Sequence, residues 1–502
     1  MTAIEYTTRC GNPYLADVLA PVSSEVTATD LAVTGAIPEH LVGRYLRNGA
    51  NPASPVDTQA HHWFGGDAMV TGLELRDGRA CWYRNRWVRT PAVCRSLSES
   101  TPPPRRLQAG SVSVGPNTNV LTHAGRTLAL VEGGMASYEL TDELETLGTW
   151  DADGTLSGGY TAHPLRDPET GELHAVSYSA TRGHTVQYSV IDTSGRVSRI
   201  VDIDVGGSPM MHAFSLTEDY VVFYDLPVTW VPAEVAALVM PHGLRRPLQL
   251  LLESPIGRVR VPSPIAAQMN RRTGRFDGLP FAWNDAYPAR IGVMPRGGTN
   301  VDVRWFDVEP CYVFHPVNAY SEVRDGAELL VLDVVRNERI FDRERRGPAD
   351  GHPTLERWTI TLGNGVVQVE RLDDRTQEFP RVNDLYIGRK HRYSYTIGVE
   401  GGHVWDDVDG PLRTALYKHD ADSASVSAAR LDPDLVFGEM TFVANPDAKA
   451  EDDGVLMGYG YHRRRDEGQL LILDAQTLDT RAVVHLPQRV PMGFHGNWCP
   501  AG

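Results

Sequence analysis

The chain has 502 residues with 48 Lys+Arg against 64 Asp+Glu, a formal charge of −16 at pH 7. Hydrophobic residues make up 41% and charged ones 22%, which supplies a large core and excludes a disordered chain. A pI near 5.5 lacks the basic stripe that nucleic-acid binding needs. Cys10, Cys81, Cys94, Cys311 and Cys499 form no CxxC pair, so neither a disulfide framework nor a thiolate metal site is expected. No basic segment leads an apolar run at the N-terminus, and no stretch approaches 18 apolar residues, so the reading is a cytoplasmic protein without a membrane span.

Short runs rich in β-branched and aromatic residues recur along the chain: Leu173–Tyr178, Tyr220–Tyr224, Leu329–Val335, Trp358–Thr361, Val455–Tyr459 and Leu470–Leu473. Hairpin turn chemistry accompanies them at Asp77-Gly78, Asp325-Gly326, Asn364-Gly365 and Asp453-Gly454. Strands of the type ELHAVSY, DYVVFYD, AELLVLDV and GVLMGYG return after loops. An all-β chain of four-stranded units of roughly 40–50 residues is the pattern of a β-propeller, and this length gives about seven blades. The pattern alone also allows a pair of sandwiches. Two segments interrupt it. Residues 91–109, with Pro102-Pro103-Pro104, are expected to be a surface loop. Residues 230–252 (WVPAEVAALVMPHGLRRPLQLLL) are the most helix-like and apolar part; they read as an insertion helix packed on the blades or as an amphipathic segment at a bilayer surface.

Four of the 17 histidines share a local setting: His163 in YTAHP, His212 in MMHAFS, His315 in VFHPVN and His495 in GFHGNW. They are separated by 49, 103 and 180 residues, read as one, two and four blade lengths. Equivalent positions on different blades point to one axis, and four converging neutral imidazoles bind a transition metal. Zinc, copper or iron would suit imidazole ligation equally. Carboxylates behind the ligands would offset the ion's charge and fix the ring tautomers; Glu132, Glu378 and Glu439, each in an apolar setting, are the candidates.

The stretches RYLRNGANP (44–52), HHWFGGDAM (61–69), YRNRWVRT (83–90), NTNV (117–120), TAHP (161–164), MMHAFSLTEDYVVFYDLPV (210–228), FHPVNAYSE (314–322), EFPRVN (378–383), GEMTFVANP (438–446), EDDG (451–454) and FHGNW (494–498) resemble the carotenoid cleavage oxygenases, closely their actinobacterial members. They follow the family order from about residue 12 to the C-terminus. The resemblance implies one seven-bladed propeller domain over residues 1–502, capped by loops and short helices that include 230–252, with Fe(II) on the axis. It implies His163, His212, His315 and His495 as ligands, and Glu132, Glu378 and Glu439 as partners of His212, His315 and His495 in that order. Thr118 matches the threonine whose methyl crowds one open coordination position. His61 and His62 fall in a segment that is structural in the family.

Four protein ligands on an octahedral ion leave two cis positions. By resemblance the reaction is oxidative scission of a conjugated C=C of a carotenoid or apocarotenoid by O2, giving two carbonyl products with no organic cofactor. VGGSP (205–209) lacks the strand–GxGxxG–helix context of a nucleotide site. A polyene needs a long apolar passage, for which Phe64, Trp82, Phe214, Phe314 and Phe494 are candidate walls. Stilbenoid-cleaving relatives carry a lysine just before the first glutamate and an upstream tyrosine; here the position is Val131, and no tyrosine lies between Tyr83 and Tyr138. That disfavours stilbenoid cleavage, the alternative activity. The intact histidine set disfavours a non-catalytic propeller that binds an apolar ligand. Peripheral membrane contact through 230–252 would suit a substrate that partitions into bilayers.

Overall fold

The computed structural model describes residues 12–101, 115–231, 246, 279–344, 346–348, 350–399 and 412–501. Its strands form seven antiparallel sheets arranged as the blades of a β-propeller, with a separate two-stranded ribbon, Val228–Trp230 with Phe281–Trp283. Blades two to six are four-stranded and simple meanders or nearly so, beginning at the axis with Asn119–His123, Leu165–Arg166, Phe214–Leu216, Tyr312–Arg324 and Gln377–Arg381 respectively. In blade seven Leu435–Phe437 and Thr441–Ala444 both pair with Gly454–His462.

The ring is closed twice. Gly496–Pro500, the last strand, pairs with Gly43–Ala50 and becomes the axial strand of blade one, with Arg47 opposite Gly496. Val33–Gly35, from the N-terminal end, pairs with Thr480–His485 at the rim of blade seven. Both closures exchange loose sheet edges for backbone ladders, which a ring of antiparallel sheets requires. At the seam the backbones of Gly49 and Gly493 touch: a Cβ on Gly49 would lie 2.8 Å from the Gly493 Cα. Only glycine permits that approach, which accounts for the glycines of RNG and GFHG.

The recurring apolar runs are the inner strands of the blades. Ala327–Asn337 pairs on both sides and packs on both faces, so Leu330, Val331, Leu332, Val334 and Val335 are all buried. Continuous apolar runs replace alternation because each blade is covered by its neighbours on both faces. Each such side chain contributes about 1.5–3 kcal/mol by burial. The outer strand Val367–Asp373 is largely exposed and polar.

Two expectations need correction. Residues 91–109 do not form a loop throughout: Pro91–Leu97 is an α-helix. The Thr90 side chain caps it by accepting from the Val93 N–H at 3.2 Å, Pro91 takes the first helical position, and Ser98 closes it in the left-handed region. Helical periodicity is too short in seven residues to have announced it. The second correction concerns spacing. His212 and His315 stand on consecutive blades, not two apart, because residues 226–289 form an excursion between the second and third strands of blade four. From His315 to His495 is three blades, not four. Of the apolar segment 230–252, residues 232–245 and 247–252 lie outside the described residues. Among the described residues no helix is long and apolar enough to cross a membrane.

Candidate metal centre

Each blade has one of these residues close to the start of its axial strand, just before it or within its first four residues: Thr118, His163, His212, His315, Glu378, Glu439 and His495. The four imidazoles come from blades three, four, five and one. Their ring centroids lie 4.2 Å apart for His163–His212, 4.5 Å for His163–His495, 4.8 Å for His315–His495 and 5.1 Å for His212–His315. One ligand nitrogen from each lies within 4.8 Å of all the others, and Nε2 of His212 is 3.2 Å from Nε2 of His315. With metal–nitrogen bonds of about 2.1 Å, cis nitrogens of an octahedron would stand about 3 Å apart and trans ones about 4.2 Å.

Three rings are oriented from behind. His212 Nδ1 lies 2.8 and 2.9 Å from the Glu132 oxygens, His315 Nδ1 lies 2.6 Å from Glu378 Oε2, and His495 Nδ1 lies 3.0 Å from Glu439 Oε1. Each Nδ1–H donates to a carboxylate, which turns the Nε2 lone pair toward the axis. His163 is placed by its backbone, whose N–H donates to Thr161 Oγ1 at 3.2 Å. Its Nε2 is buried without a hydrogen-bond partner among the described residues. A lone pair so placed, facing three imidazoles, suits a cation and costs free energy without one. Burial, then His212, His495 and His315, hold the His163 pKa well below its ordinary value. Burial also brings His495 down to about 4, against the pull of Glu439. Both are neutral bases at pH 7, as metal ligation requires.

The third carboxylate has a second tether. Arg381 Nε and Nη2 donate to Glu439 at 3.0 and 3.1 Å, and Nη2 also donates to the Gly496 carbonyl at 2.5 Å. The Gly496 N–H donates to Glu439 Oε2 at 2.9 Å. Burial pushes the Glu439 carboxyl up, but Arg381 and His495 together hold it below the usual carboxylate range. Arg381 was missed as a site residue although it stands inside EFPRVN. Phe379 was missed with it: its ring stacks on His315 at 5.5 Å and tilts against His495 at 5.6 Å. Phe379 holds φ of 52° directly before Pro380, a strained combination that turns Glu378 and the ring toward the histidines. Asparagines of the NTNV and RNG motifs staple the axial strands: Asn48 Nδ2 donates to Pro116 O and Asn119 O, and Asn119 Nδ2 to Ala162 O. The Thr118 carbonyl accepts from the His495 N–H at 3.2 Å, which puts Thr118 beside the cluster.

The aromatic candidates divide. Phe314 stands edge-on to His212 at 5.1 Å and contacts Phe64, which contacts Phe494. Phe214 is blade core. Trp82 lies in the outer part of blade one, opposite Thr29 and under Arg84, remote from the histidines; an aromatic residue on a strand carries no mark of which end it serves. His62 Nδ1 accepts from the Phe64 N–H and its ring packs on Phe341, while the metal-competent group holds neither His61 nor His62.

The family model described as retinal pigment epithelial membrane protein matches residues 19–500. The chain belongs to that family. It is 65% identical over 490 residues to a carotenoid cleavage oxygenase of Mycobacterium tuberculosis, covering 97% of this chain and 98% of that one. It is 28% identical over 526 residues to a carotenoid 9,10(9',10')-cleavage dioxygenase of Crocus sativus, covering 96% and 88%. Among solved structures it is similar to the cobalt-substituted apocarotenoid oxygenase of Synechocystis, with a TM-score of 0.75, 25% identity and coverage of 96% and 97%. A lignostilbene dioxygenase of Pseudomonas brassicacearum shares the fold, with a TM-score of 0.77 at 24% identity and coverage of 98% and 99%. Membership of the carotenoid cleavage oxygenase family fits the sheet topology and the histidine cluster alike.

Proposed function

We propose that the protein is an iron(II)-dependent dioxygenase that cleaves one conjugated C=C bond of a carotenoid or apocarotenoid. The observation that carries this reading is the cluster of four converging histidines, three of them backed by a carboxylate, in a chain 65% identical to a carotenoid cleavage oxygenase. The reaction balances as R–CH=CH–R′ + O2 → R–CHO + R′–CHO, with one oxygen atom in each product. Bound iron supplies the unpaired electrons that let triplet dioxygen react with a closed-shell alkene, which zinc cannot. His163, His212, His315 and His495 would hold the ion; Glu132, Glu378 and Glu439 accept from Nδ1 of His212, His315 and His495 and keep those rings aimed. Arg381 pins Glu439. Phe314 and Phe379 pack against the imidazole rings and restrict their rotation. Thr118, whose carbonyl accepts from the His495 N–H, would stand next to the bound ion.

Val131, immediately before Glu132, is buried and offers no polar anchor for a phenol, which favours carotenoids or apocarotenoids over hydroxystilbenes. Contact with a bilayer through residues 230–252 belongs to the same proposal, because such substrates partition into lipid; flotation with liposomes tests it, and protein left wholly in the aqueous fraction counts against it. The test of the activity is iron content and aldehyde products, identified by mass spectrometry, for the wild type and His212→Ala. The variant is expected to remain folded and lose both iron and turnover; full activity would overturn the assignment. Faster cleavage of a hydroxystilbene than of a carotenal would overturn the substrate class.

A further inference from the structure

A cavity of about 680 Å³ runs along the propeller axis and reaches His163, His315 and His495. Six of the seven axial strands line it, and it extends along them away from the histidine end. On the blade-two strand it spans Asn119 to His123, about 13 Å at the rise of an extended chain. His212, Glu132, Phe314 and Phe494 do not line it; Phe314 and Phe494 both pack on Phe64, which does not line it either.

The far part of the cavity is polar. Arg166 donates to the Thr122 carbonyl at 2.6 Å and to His123 Nδ1 at 3.1 Å, and His123 donates through Nε2 to the Asp192 carbonyl at 2.7 Å. Asp384 stands across from it. Both Arg166 and Asp384 are exposed to solvent, yet burial raises the Asp384 carboxyl above its ordinary value despite Arg381 and Arg166. Asp384 lines the cavity wall together with Arg166 and His123, so the solvent it meets is that of the cavity. A polyene threaded here would have to desolvate a guanidinium and a carboxylate, which is unfavourable without new partners for them. A small uncharged solute that travels with water would not.

Resting on the dioxygenase reading, we propose that this axial channel is the route by which dioxygen and water reach the histidine centre, separate from the route of the apolar substrate. Thr122, half-buried on the channel wall, and Asp384, at its far part, sit where a large side chain would obstruct passage without touching the histidines or their carboxylates. The test uses the iron-loaded protein and Thr122→Trp and Asp384→Trp. Association of nitric oxide is followed by stopped flow, and KM is measured separately for dioxygen and for a carotenal.

In at least one folded variant the nitric oxide association rate is expected to fall by about tenfold and KM for dioxygen to rise. KM for the carotenal and the electron paramagnetic resonance spectrum of the nitric oxide adduct should stay as in the wild type. Unchanged association in both folded variants would overturn the channel assignment while leaving the dioxygenase reading intact. If the two KM values rose together, the channel would be the shared entrance and the proposed separation would be wrong. A wild-type protein that binds iron at none of its histidines would refute the reading itself, and the channel proposal with it.

Discussion

Arg381→Met removes the guanidinium that, among the described residues, touches the carboxylate behind His495. In the wild type the side chains of Arg381 and Glu439 are 19% and 3% exposed, so this is a buried pair, and removing one partner of such a pair costs about 3–5 kcal/mol. Glu439 keeps two donors, His495 Nδ1 at 3.0 Å and the Gly496 N–H at 2.9 Å, which places the expected loss near the lower bound, about 3 kcal/mol. Arg381 also holds the Gly496 carbonyl and therefore the turn that presents His495. Its loss should weaken metal binding by about tenfold or more, as loss of an outer partner of a ligand does elsewhere. Urea titration at pH 7 measures the first quantity, and competition of the apoprotein for cobalt(II) against a chelator measures the second. Arg381→Lys, which keeps the charge but not the fork, should recover about half of the stability. A loss below about 1 kcal/mol, with cobalt(II) affinity unchanged in Arg381→Met, would refute the claim that this contact positions His495.

Asp167, at the foot of blade three, accepts from Arg296 of blade four and from the Glu169 N–H at 2.8 Å. Burial pushes its carboxyl up, but Arg296 and the amides of Glu169 and Thr170 hold it below the ordinary carboxylate range. A depressed pKa contributes stability above about pH 4 that is lost as pH falls through the folded value. Asp167→Asn should therefore cost about 1.5–3 kcal/mol at neutral pH, and urea midpoints measured at pH 7 and pH 3 should show the deficit shrinking in acid. Thr90→Ala should cost about 1 kcal/mol through loss of the helix cap, read by urea denaturation, with iron content unchanged. At Gly398 a Cβ would lie 2.1 Å from Tyr417 Cε2; Gly398→Ala should cost about 1–3 kcal/mol by overpacking, seen as a lower urea midpoint.

Much of this was legible before any coordinates. Runs such as AELLVLDV and GVLMGYG announce buried strands because a blade is covered on both faces, and Asp325-Gly326 marks its hairpin because the turn needs a positive φ. The helix at Pro91–Leu97 was not legible, since seven residues carry less than two turns of periodicity. Arg381 and Phe379 lay inside a quoted motif, but nothing in the local pattern says that a guanidinium will reach a carboxylate 58 residues away.

Residue chemistry by itself determined which side chains could serve: neutral imidazoles to ligate, carboxylates to orient them, glycines where backbones must touch. Tertiary structure decided where they meet. Only ring closure, by the pairing of Gly496–Pro500 with Gly43–Ala50, carries His495 to His163, His212 and His315. The blade count between ligands could not be read from spacing, because an excursion such as 226–289 lengthens the chain without moving the strands it joins. Distance along a polymer and distance in space are coupled by backbone pairing, and pairing is a property of the assembled sheets.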